Sequence, residues 1–321
     1  MKPEASIIIP LYNEGANISR LLEKLCTVLE QENILFEILL IDDGSRDGTF
    51  EKIQEAAKAD PRIRGIQFRR NHGQTAALMA GFDHAQGDIC ITMDGDLQHD
   101  PKYIPDLLEA MYQGYDLVCS YRDKRNDPLM RRIPSKAANY IARKISRLNI
   151  RDFGSTYRAY DTHLVKEIPI YGEMHRFLPI FISMLTNKIC EIPIRLLPRV
   201  AGKSKYGLGR TFRVFSDLWA LFFFSGFFNR PIHIFGYLSI LFGLPGFLIL
   251  SCLSIAKISG NIEIMDYGPL FILGVLLCMV AVQTITTGVV CEYLIRIYYN
   301  NEDRRPYSIA KKTFDTKKNE Y

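Results

Sequence analysis

The stretch that decides the fold is DICITMDGD at residues 88–96. Its apolar run predicts a short buried strand, and Asp94 and Asp96 stand at the carboxyl end of that strand. Two carboxylates one residue apart can share a hard divalent cation, which keeps open positions for the phosphate oxygens of a nucleotide. An isolated acidic pair equally fits a solvated turn. The rest of the chain has to decide between these two interpretations.

The first 120 residues alternate between strand and helix patterns. Apolar runs predict strands at residues 6–10, 36–41, 63–68, 88–93, 116–121 and 189–197. Helical spacing predicts helices at residues 17–30, 48–59, 75–85 and 104–112. This alternation predicts an α/β fold with a mixed, mostly parallel sheet and helices on both faces. Ligands of such open sheets bind at the carboxyl ends of the strands.

Polar side chains follow the first two predicted strands as well. After the first strand, Pro10 leads to Tyr12 and Glu14, which offer an aromatic face for a base and a carboxylate for ribose or base edges. After the second, Asp43 can accept a hydrogen bond from the ring N–H of a pyrimidine. Gln74, at the start of a helix rich in small residues, either touches the substrate or only begins that helix. Plain turns and loop acids remain the structural alternatives for all four side chains.

Two charge-free stretches lie in the second half of the chain, at residues 234–256 and 267–291. Each is long enough as a helix to cross a hydrocarbon core that needs about 20 apolar residues. The linker at 257–266 holds one Lys and two acids, whereas the outer flanks are rich in Arg and Lys. By the positive-inside rule, both termini are expected in the cytoplasm.

The predicted organisation has four parts. Residues 1–205 form a cytoplasmic catalytic domain, 206–232 amphipathic helices at the membrane interface, 233–295 a two-helix transmembrane region, and 296–321 a cytoplasmic basic tail. Residues 1–4 pass directly into a strand pattern, so no signal peptide is expected.

The net charge and the cysteines indicate which partners and which cellular compartment to expect. The net charge of +5 is modest and concentrated near the predicted spans, so a nucleic-acid partner is not expected. The seven cysteines include no C-x-x-C pair and fit a reducing compartment.

Several motifs together carry a family resemblance. They are IIIPLYNE at 7–14, IDDGS at 41–45, MDGDLQ at 93–98, RAY at 158–160 and SKY at 204–206, followed by the two spans. With these motifs the chain resembles inverting family-two glycosyltransferases with a GT-A nucleotide-diphospho-sugar-binding domain. More narrowly, it resembles polyprenyl-phosphate glycosyltransferases of the dolichol-phosphate-mannose synthase type. The resemblance covers essentially the whole chain, and it hints at a homo-oligomer.

The resemblance implies roles for the acidic residues. Asp43 reads the base, Asp94 lies against the ribose and the metal, and Asp96 coordinates the Mg²⁺ or Mn²⁺ that bridges the diphosphate. Gln98 completes the metal shell through its amide oxygen. His99 is expected to be a neighbour of the site, because a softer nitrogen ligand suits Mg²⁺ poorly.

Cations are expected to stabilise the departing nucleoside diphosphate. The candidates are Arg122, Arg131, Arg132, Arg158 and Lys205. Because the SKY loop precedes the membrane stretch, Lys205 is expected to hold the lipid phosphate together with Arg131 and Arg132. A solvated basic face is the alternative for each.

The acceptor decides whether a catalytic base is needed. A lipid phosphate has a second pKa of about 6 and is largely dianionic at neutral pH, so it needs only weak assistance. Asp152 is the nearest candidate base. Some relatives place an acid directly before the aromatic–Arg pair of this loop, whereas Thr156 stands there in this chain. The Q-x-x-R-W signature of processive synthases is absent, which favours a single transfer.

These observations predict an enzyme of the bacterial cytoplasmic membrane. As the resemblance implies, it transfers one sugar, with inversion, from a nucleotide-diphospho-sugar to undecaprenyl phosphate. By analogy with relatives a UDP-sugar such as UDP-glucose is the expected donor, while glucose, mannose, N-acetylglucosamine and amino-arabinose derivatives are all compatible with the scaffold. One alternative is transfer to the hydroxyl of another membrane lipid, which would require a base. A non-catalytic scaffold is disfavoured, because both Asp94 and Asp96 are present.

Overall fold

An eight-stranded mixed sheet forms the centre of the first part of the protein. In this computed structural model the described residues are 2–122, 143, 148–168, 170, 174–197, 231–260, 263–299 and 306–314. The strands are β1 (Ala5–Leu11), β2 (Phe36–Asp42), β3 (Ile63–Phe68), β4 (Ile89–Thr92), β5 (Leu117–Arg122), β6 (Arg158–Asp161), β7 (Ile189–Ile194) and β8 (Ile309–Lys312). Their spatial order is β7-β5-β6-β4-β1-β2-β3-β8.

The central strands are parallel, as the alternating sequence pattern predicts. β1 pairs in parallel with both β2 and β4, β2 with β3, and β5 with β7. β6 runs antiparallel between β4 and β5, and β8 antiparallel along β3. In this register Leu11 lies beside Asp42, so the ends of β1 and β2 meet at one edge of the sheet.

Helices cover both faces of the sheet. They are α1 (Ile18–Gln31), α2 (Thr49–Ala59), α3 (Gln74–His84), α4 (Ile104–Tyr112), α5 (Thr162–Lys166) and α6 (Leu178–Ser183), with 3-10 turns at Gly15–Asn17, Pro101–Tyr103 and Met174–Phe177. α1 buries Ile18, Leu21, Leu22, Leu25 and Leu29, the stripe that a 3.6-residue period predicts. Each such side chain contributes about 1.5–3 kcal/mol when fully buried.

Helix α3 needs small residues because it packs closely on β1. A Cβ placed on Gly81 would lie 2.2 Å from the Cγ2 atom of Ile8, so a larger residue there would push the helix away. Since α3 begins at Gln74, this packing fixes the position of a predicted site residue.

A helical hairpin forms the second unit of the chain, which spans Phe222–Arg304. It contains α7 (Pro231–Ile258), a 3-10 turn at Ile264–Tyr267, and α8 (Gly268–Tyr299). The stretches Phe235–Ile258 and Gly268–Cys291 are long and apolar enough to cross a membrane, each with a mean hydropathy of 2.2. Small residues let the two helices approach: a Cβ on Gly246 would lie 2.9 Å from the Gly274 carbonyl oxygen. Large apolar side chains such as Tyr237 and Phe247 remain exposed on the hairpin, as a lipid-facing surface requires.

Two parts of the fold differ from the sequence-based expectation. Residues 158–161 form the antiparallel strand β6, whereas the sequence predicts a polar, glycine-containing loop at residues 152–160. Residues 309–312, expected within a basic tail at 296–321, form strand β8 of the eight-stranded sheet. The reason is long-range pairing with β3, which a four-residue segment does not reveal on its own. The expected interface helices at 206–232 lie, up to residue 230, outside the described residues.

Candidate active site

The acidic turn after β4 sits at the carboxyl edge of the sheet. Gly95 lets this turn lie directly on β1, because a Cβ there would be 2.2 Å from the Cδ2 atom of Leu11. Leu97 adopts φ +63°, a left-handed conformation that costs a non-glycine residue about 1–3 kcal/mol. The strain is tolerated because the Leu97 side chain is buried. The turn is therefore held tightly by its surroundings.

The ring of His99 holds the acidic turn of Asp94 and Asp96 in place. Its Nδ1 atom accepts a hydrogen bond from the backbone N–H of Asp94 at 3.0 Å, and its ring stacks on Tyr157 at 5.0 Å between centroids. The hydroxyl of Tyr157 in turn donates to the carbonyl of Asp100 at 3.1 Å. These contacts give His99 the role of a neighbour that shapes the turn.

The structure brings four predicted site residues together here. The side-chain amide of Gln74 donates to Oδ1 of Asp94 at 3.0 Å. The backbone N–H of Gln98 donates to Oδ1 of Asp96 at 3.1 Å, and its side-chain amide donates to Oδ2 of the same carboxylate. These N–H donors fix the direction of both carboxylates.

The donor set fits a hard divalent ion. Asp94 and Asp96 provide carboxylate oxygens, and Gln98 lies against Asp96. Among the described residues, no group of three or more His, Cys, Asp or Glu side chains could hold a metal ion by itself. An ion bound here would have to complete its shell with water and the phosphates of a ligand, as Mg²⁺ commonly does.

Asp43 follows β2 and is only 4 % exposed. Its carboxylate accepts hydrogen bonds from the backbone N–H groups of His72, at 2.6 Å, and Gly73, at 2.9 Å. Burial raises the pKa of Asp43, although the two backbone donors oppose the shift. The following Gly44 has φ +72°, and a Cβ there would lie 2.6 Å from the carbonyl carbon of Arg70. Asp43 thus ties the end of β2 to the loop that follows β3.

The loop after β1 presents Tyr12 at the surface, with 41 % of the residue exposed. Pro10 remains inside β1, beside Ile41 of the next strand. Asn13 has φ +55°, its N–H donates to the Ser45 hydroxyl at 2.8 Å, and its side-chain oxygen accepts from the N–H of Arg46 at 3.1 Å. The loops after β1 and β2 therefore form one structure, on which the Tyr12 ring is accessible.

Glu14 takes part in the same loop. Its carboxylate accepts a hydrogen bond from the side-chain amide of Asn17 at 2.7 Å, and its backbone N–H donates to the Thr49 hydroxyl at 3.2 Å. These contacts orient the carboxylate that the sequence assigns to ribose or base edges.

Arg122 and Asp152 are placed together but differently from the expectation. Asp152 is 3 % exposed and receives two hydrogen bonds from the Arg122 guanidinium, at 2.6 and 3.0 Å, and one from the N–H of Gly154 at 3.1 Å. Both oxygens of this carboxylate are already engaged by donors, so it is poorly placed to take a proton from an acceptor. The same contact partly neutralises the charge of Arg122, which is expected from the sequence to face the leaving group.

Arg158 also differs from its expected role. It is 1 % exposed, and its guanidinium donates to the carbonyls of His175, at 3.1 Å, and Phe153, at 2.7 Å. Its charge holds two loops against β6 instead of facing a phosphate. The physical reason is its position on a central strand, which points the side chain into the core.

Two further buried polar residues carry no local sequence signal for the site. From the sequence, His175 shows no metal-ligand spacing and is expected to be a surface or packed histidine, and Glu191 lies in the predicted last strand. His175 is buried, and its Nδ1 atom lies 2.7 Å from the hydroxyl of Thr75, next to Gln74. Burial lowers the pKa of His175 to about 3, so its ring is neutral at physiological pH. Glu191 on β7 accepts a hydrogen bond from the N–H of Arg151 at 2.8 Å, and burial raises its pKa.

The expected lipid-phosphate residues Arg131, Arg132 and Lys205 lie outside the described residues. The chain leading to Lys205 is nevertheless anchored at the acidic turn. The N–H of Leu197 donates to the carbonyl of Gln98 at 2.8 Å, and the N–H of Arg195 donates to the Tyr103 hydroxyl at 3.2 Å.

With the fold and the acidic turn established, comparison with known proteins defines the class. The model of the family "Glycosyl transferase family 2" matches residues 6–169. The chain belongs to this family and is a glycosyltransferase with a GT-A fold, as its motifs predict.

The similar proteins narrow that class. Dodecaprenyl-phosphate galacturonate synthase of Rhizobium johnstonii is 37 % identical over 320 residues, covering 97 % of this chain and 93 % of the relative. Undecaprenyl-phosphate 4-deoxy-4-formamido-L-arabinose transferase of Aeromonas hydrophila is 32 % identical over 305 residues, with 95 % and 92 % coverage. Both relatives are named for a polyprenyl-phosphate acceptor, in agreement with the narrower resemblance.

Solved structures confirm the fold. A structure of glucosyl-3-phosphoglycerate synthase from Mycobacterium tuberculosis, in complex with Mn²⁺, UDP and phosphoglyceric acid, superimposes with a TM-score of 0.55. It is 19 % identical, and the match covers 70 % of this chain and 78 % of that one. Mannosyl-3-phosphoglycerate synthase from Rubrobacter xylanophilus gives a TM-score of 0.56 at 14 % identity, with 68 % and 73 % coverage.

Proposed function

We propose that this glycosyltransferase transfers a single sugar from a UDP-sugar to polyprenyl phosphate, with inversion at the anomeric carbon. The observation that carries the proposal is the acidic turn, where Gln74 and Gln98 hold Asp94 and Asp96 at the ligand-binding edge of the sheet. The relatives' acceptors, dodecaprenyl and undecaprenyl phosphate, support a polyprenyl phosphate here.

Asp94 and Asp96 would hold Mg²⁺ or Mn²⁺, with Gln98 beside them. Such an ion supplies positive charge to the departing diphosphate. The Mn²⁺ and UDP in the M. tuberculosis structure support this assignment. On the donor side, Tyr12, Glu14 and Asp43 would contact the nucleoside, and Gln74 would keep Asp94 in place.

The pairing of Asp152 with Arg122 supports a phosphate as the acceptor group. Because Arg122 already binds its carboxylate in a bidentate manner, a strong base is not at hand there. A phosphate acceptor needs none, since its oxygen is already largely deprotonated at neutral pH. We assign Arg131, Arg132 and Lys205 to that phosphate. The alternative of a hydroxyl acceptor fits less well, because it requires a free carboxylate.

The names of the relatives suggest which donor sugars to test first. The relatives are named for galacturonate and 4-deoxy-4-formamido-L-arabinose, and UDP-glucose is the simplest further candidate. We place the hairpin in the bacterial cytoplasmic membrane with both chain ends in the cytoplasm, since the charge bias of the flanking segments favours this topology. A homo-oligomer is proposed, and light scattering of the purified protein tests it.

The deciding experiment uses the full chain in detergent with Mn²⁺ or Mg²⁺ and undecaprenyl phosphate. UDP-glucose, UDP-galacturonate, UDP-4-deoxy-4-formamido-L-arabinose and GDP-mannose, each radiolabelled, are scored for label entering the lipid phase. Metal-dependent transfer from one UDP-sugar, lost in Asp96→Ala, supports the proposal. Binding of UDP without transfer from any donor would overturn the polyprenyl-phosphate assignment and favour a hydroxyl-bearing lipid.

A further inference from the structure

The segment that follows the second membrane helix along the chain returns to the catalytic sheet. β8 begins at Ile309 and pairs antiparallel with β3, with Gln67 beside Lys311 and Phe68 beside Ile309. The register shifts between Gln67 and Phe68, where β3 ends. This brings the residues just before β8 against the loop that follows β3.

Tyr307 is buried against the end of β3. Its ring stacks on Phe68 at 5.1 Å between centroids, with 12° between the planes. Its hydroxyl donates to the Asp83 carboxylate on α3 at 2.6 Å. Tyr307 thus joins β3 to the helix whose first residue, Gln74, donates to Asp94.

Ser308 contacts the loop itself through two groups. Its carbonyl accepts a hydrogen bond from the N–H of Arg69 at 3.0 Å. Its hydroxyl lies 3.2 Å from Nε2 of His72. The same His72, through its backbone N–H, donates to Asp43. His72 is therefore the single residue between Ser308 and Asp43, the carboxylate that the proposed function assigns to the nucleobase.

We infer that Tyr307 and Ser308 are positioning residues for the donor nucleotide. They hold the loop of residues 69–73, and this loop links Asp43 at one end to Gln74 and Asp94 at the other. This inference rests on the proposed function for the assignment of Asp43 to the nucleoside. It adds that the chain beyond the membrane hairpin completes the donor site, although nothing in its sequence marks it as part of that site.

The test compares Ser308→Ala with Lys312→Ala in the full chain. Lys312 is a matched control because it lies on β8 and contacts His84 at 2.8 Å, away from the loop. The nucleotide is proposed to bind the loop conformation that this hydrogen bond holds, so removing about 1 kcal/mol of its stabilisation weakens the apparent affinity by up to about fivefold. Ser308→Ala is therefore expected to raise the Kd for UDP with Mn²⁺, and the donor KM, about fivefold. The acceptor KM is expected to stay at the wild-type value, and the melting temperature to fall by at most about 4 °C, the shift that a loss of about 1 kcal/mol produces.

A double mutant sharpens the test. His72→Ala removes the same contact from the other side, so Ser308→Ala with His72→Ala is expected to weaken UDP binding no more than His72→Ala alone. Hydrogen exchange without nucleotide gives an independent readout. The amides of His72 and Gly73 are expected to exchange faster in Ser308→Ala, but not in Lys312→Ala.

The inference is overturned if Ser308→Ala leaves both UDP binding and the exchange of these amides unchanged, or if Lys312→Ala has the same effects. Failure of the proposed function looks different. In that case the wild-type protein fails to transfer sugar to polyprenyl phosphate, while the exchange difference between the two variants persists.

Discussion

Arg122 and Asp152 form a bidentate ion pair, with Nε 2.6 Å from Oδ2 and Nη2 3.0 Å from Oδ1. Both residues are expected, from the sequence, to act on the substrates separately. Their pairing instead links the end of β5 to the loop that precedes β6. The Asp152 carboxylate in this pair stabilises the loop. The oxygen of the acceptor that attacks the sugar must therefore already be negatively charged.

The first prediction concerns Asp152→Asn. We expect the variant to keep at least about a tenth of the wild-type kcat, because a phosphate dianion attacks without a strong base. We expect the free energy of unfolding to fall by about 1–3 kcal/mol, since the pair is broken while Arg122 remains partly exposed to solvent. Steady-state kinetics and urea unfolding measure the two effects.

Asp88→Asn is the control, because Asp88 pairs with Lys2 at the exposed surface. Neither activity nor stability should change in it. A loss of kcat by more than about a thousandfold in Asp152→Asn, at unchanged stability, would identify Asp152 as the base after all.

The second prediction concerns the acidic turn. Asp96→Asn is expected to lower transfer by at least about a hundredfold, because a neutral amide replaces a charged metal ligand. Titration of Mn²⁺ in the presence of UDP, followed by electron paramagnetic resonance, should show weaker metal binding. Asp100→Asn is the matched control, since this carboxylate lies in the same loop and accepts from the N–H of Lys102 at 3.2 Å. Equal losses in both variants would contradict the metal assignment and point to a general disturbance of the loop.

The third prediction concerns Arg158→Met, which keeps the volume of the side chain but removes its donors. The carbonyls of Phe153 and His175 lose their partner, and each buried unpaired group costs about 1–3 kcal/mol. We expect a lower melting temperature and an unchanged donor KM in the folded fraction. Arg20→Met, on the exposed face of α1, should change neither. A variant with normal stability whose kcat falls a hundredfold would show that Arg158 acts on the substrate.

The sequence predicts the parts of this structure that depend on local pattern. The stripe from Ile18 to Leu29 and the strand before Asp94 have a clear period and clear ends, and both are confirmed. β8 is missed because IAKK is a four-residue edge strand too short to show a strand pattern, and it is stabilised by pairing with residues more than 240 positions away. The burial of Arg158 is missed for a related reason. A charged residue in a polar motif suggests a ligand contact, and only the packing of β6 shows that it points into the core.

The last prediction concerns pH. The pKa of His175 falls from 6.5 to about 3 because the ring is buried, with Arg176 and Arg158 adding to the effect. Between these values the unfolded chain binds a proton that the folded protein does not, so the free energy of unfolding rises with pH. The contribution is complete above about pH 6.5 and is lost as the pH falls towards 3. At pH 5 the expected loss is about 2 kcal/mol, at about 1.4 kcal/mol per pH unit.

His175→Gln removes the titrating group and should flatten this slope, so that its stability relative to wild type improves from pH 7 to pH 5. Urea unfolding at several pH values measures the slope. His163→Gln, at an exposed histidine, is the matched control. If His175→Gln keeps the wild-type slope, the pKa of His175 is not lowered in the folded protein, and the neutral state assigned to its buried ring is overturned.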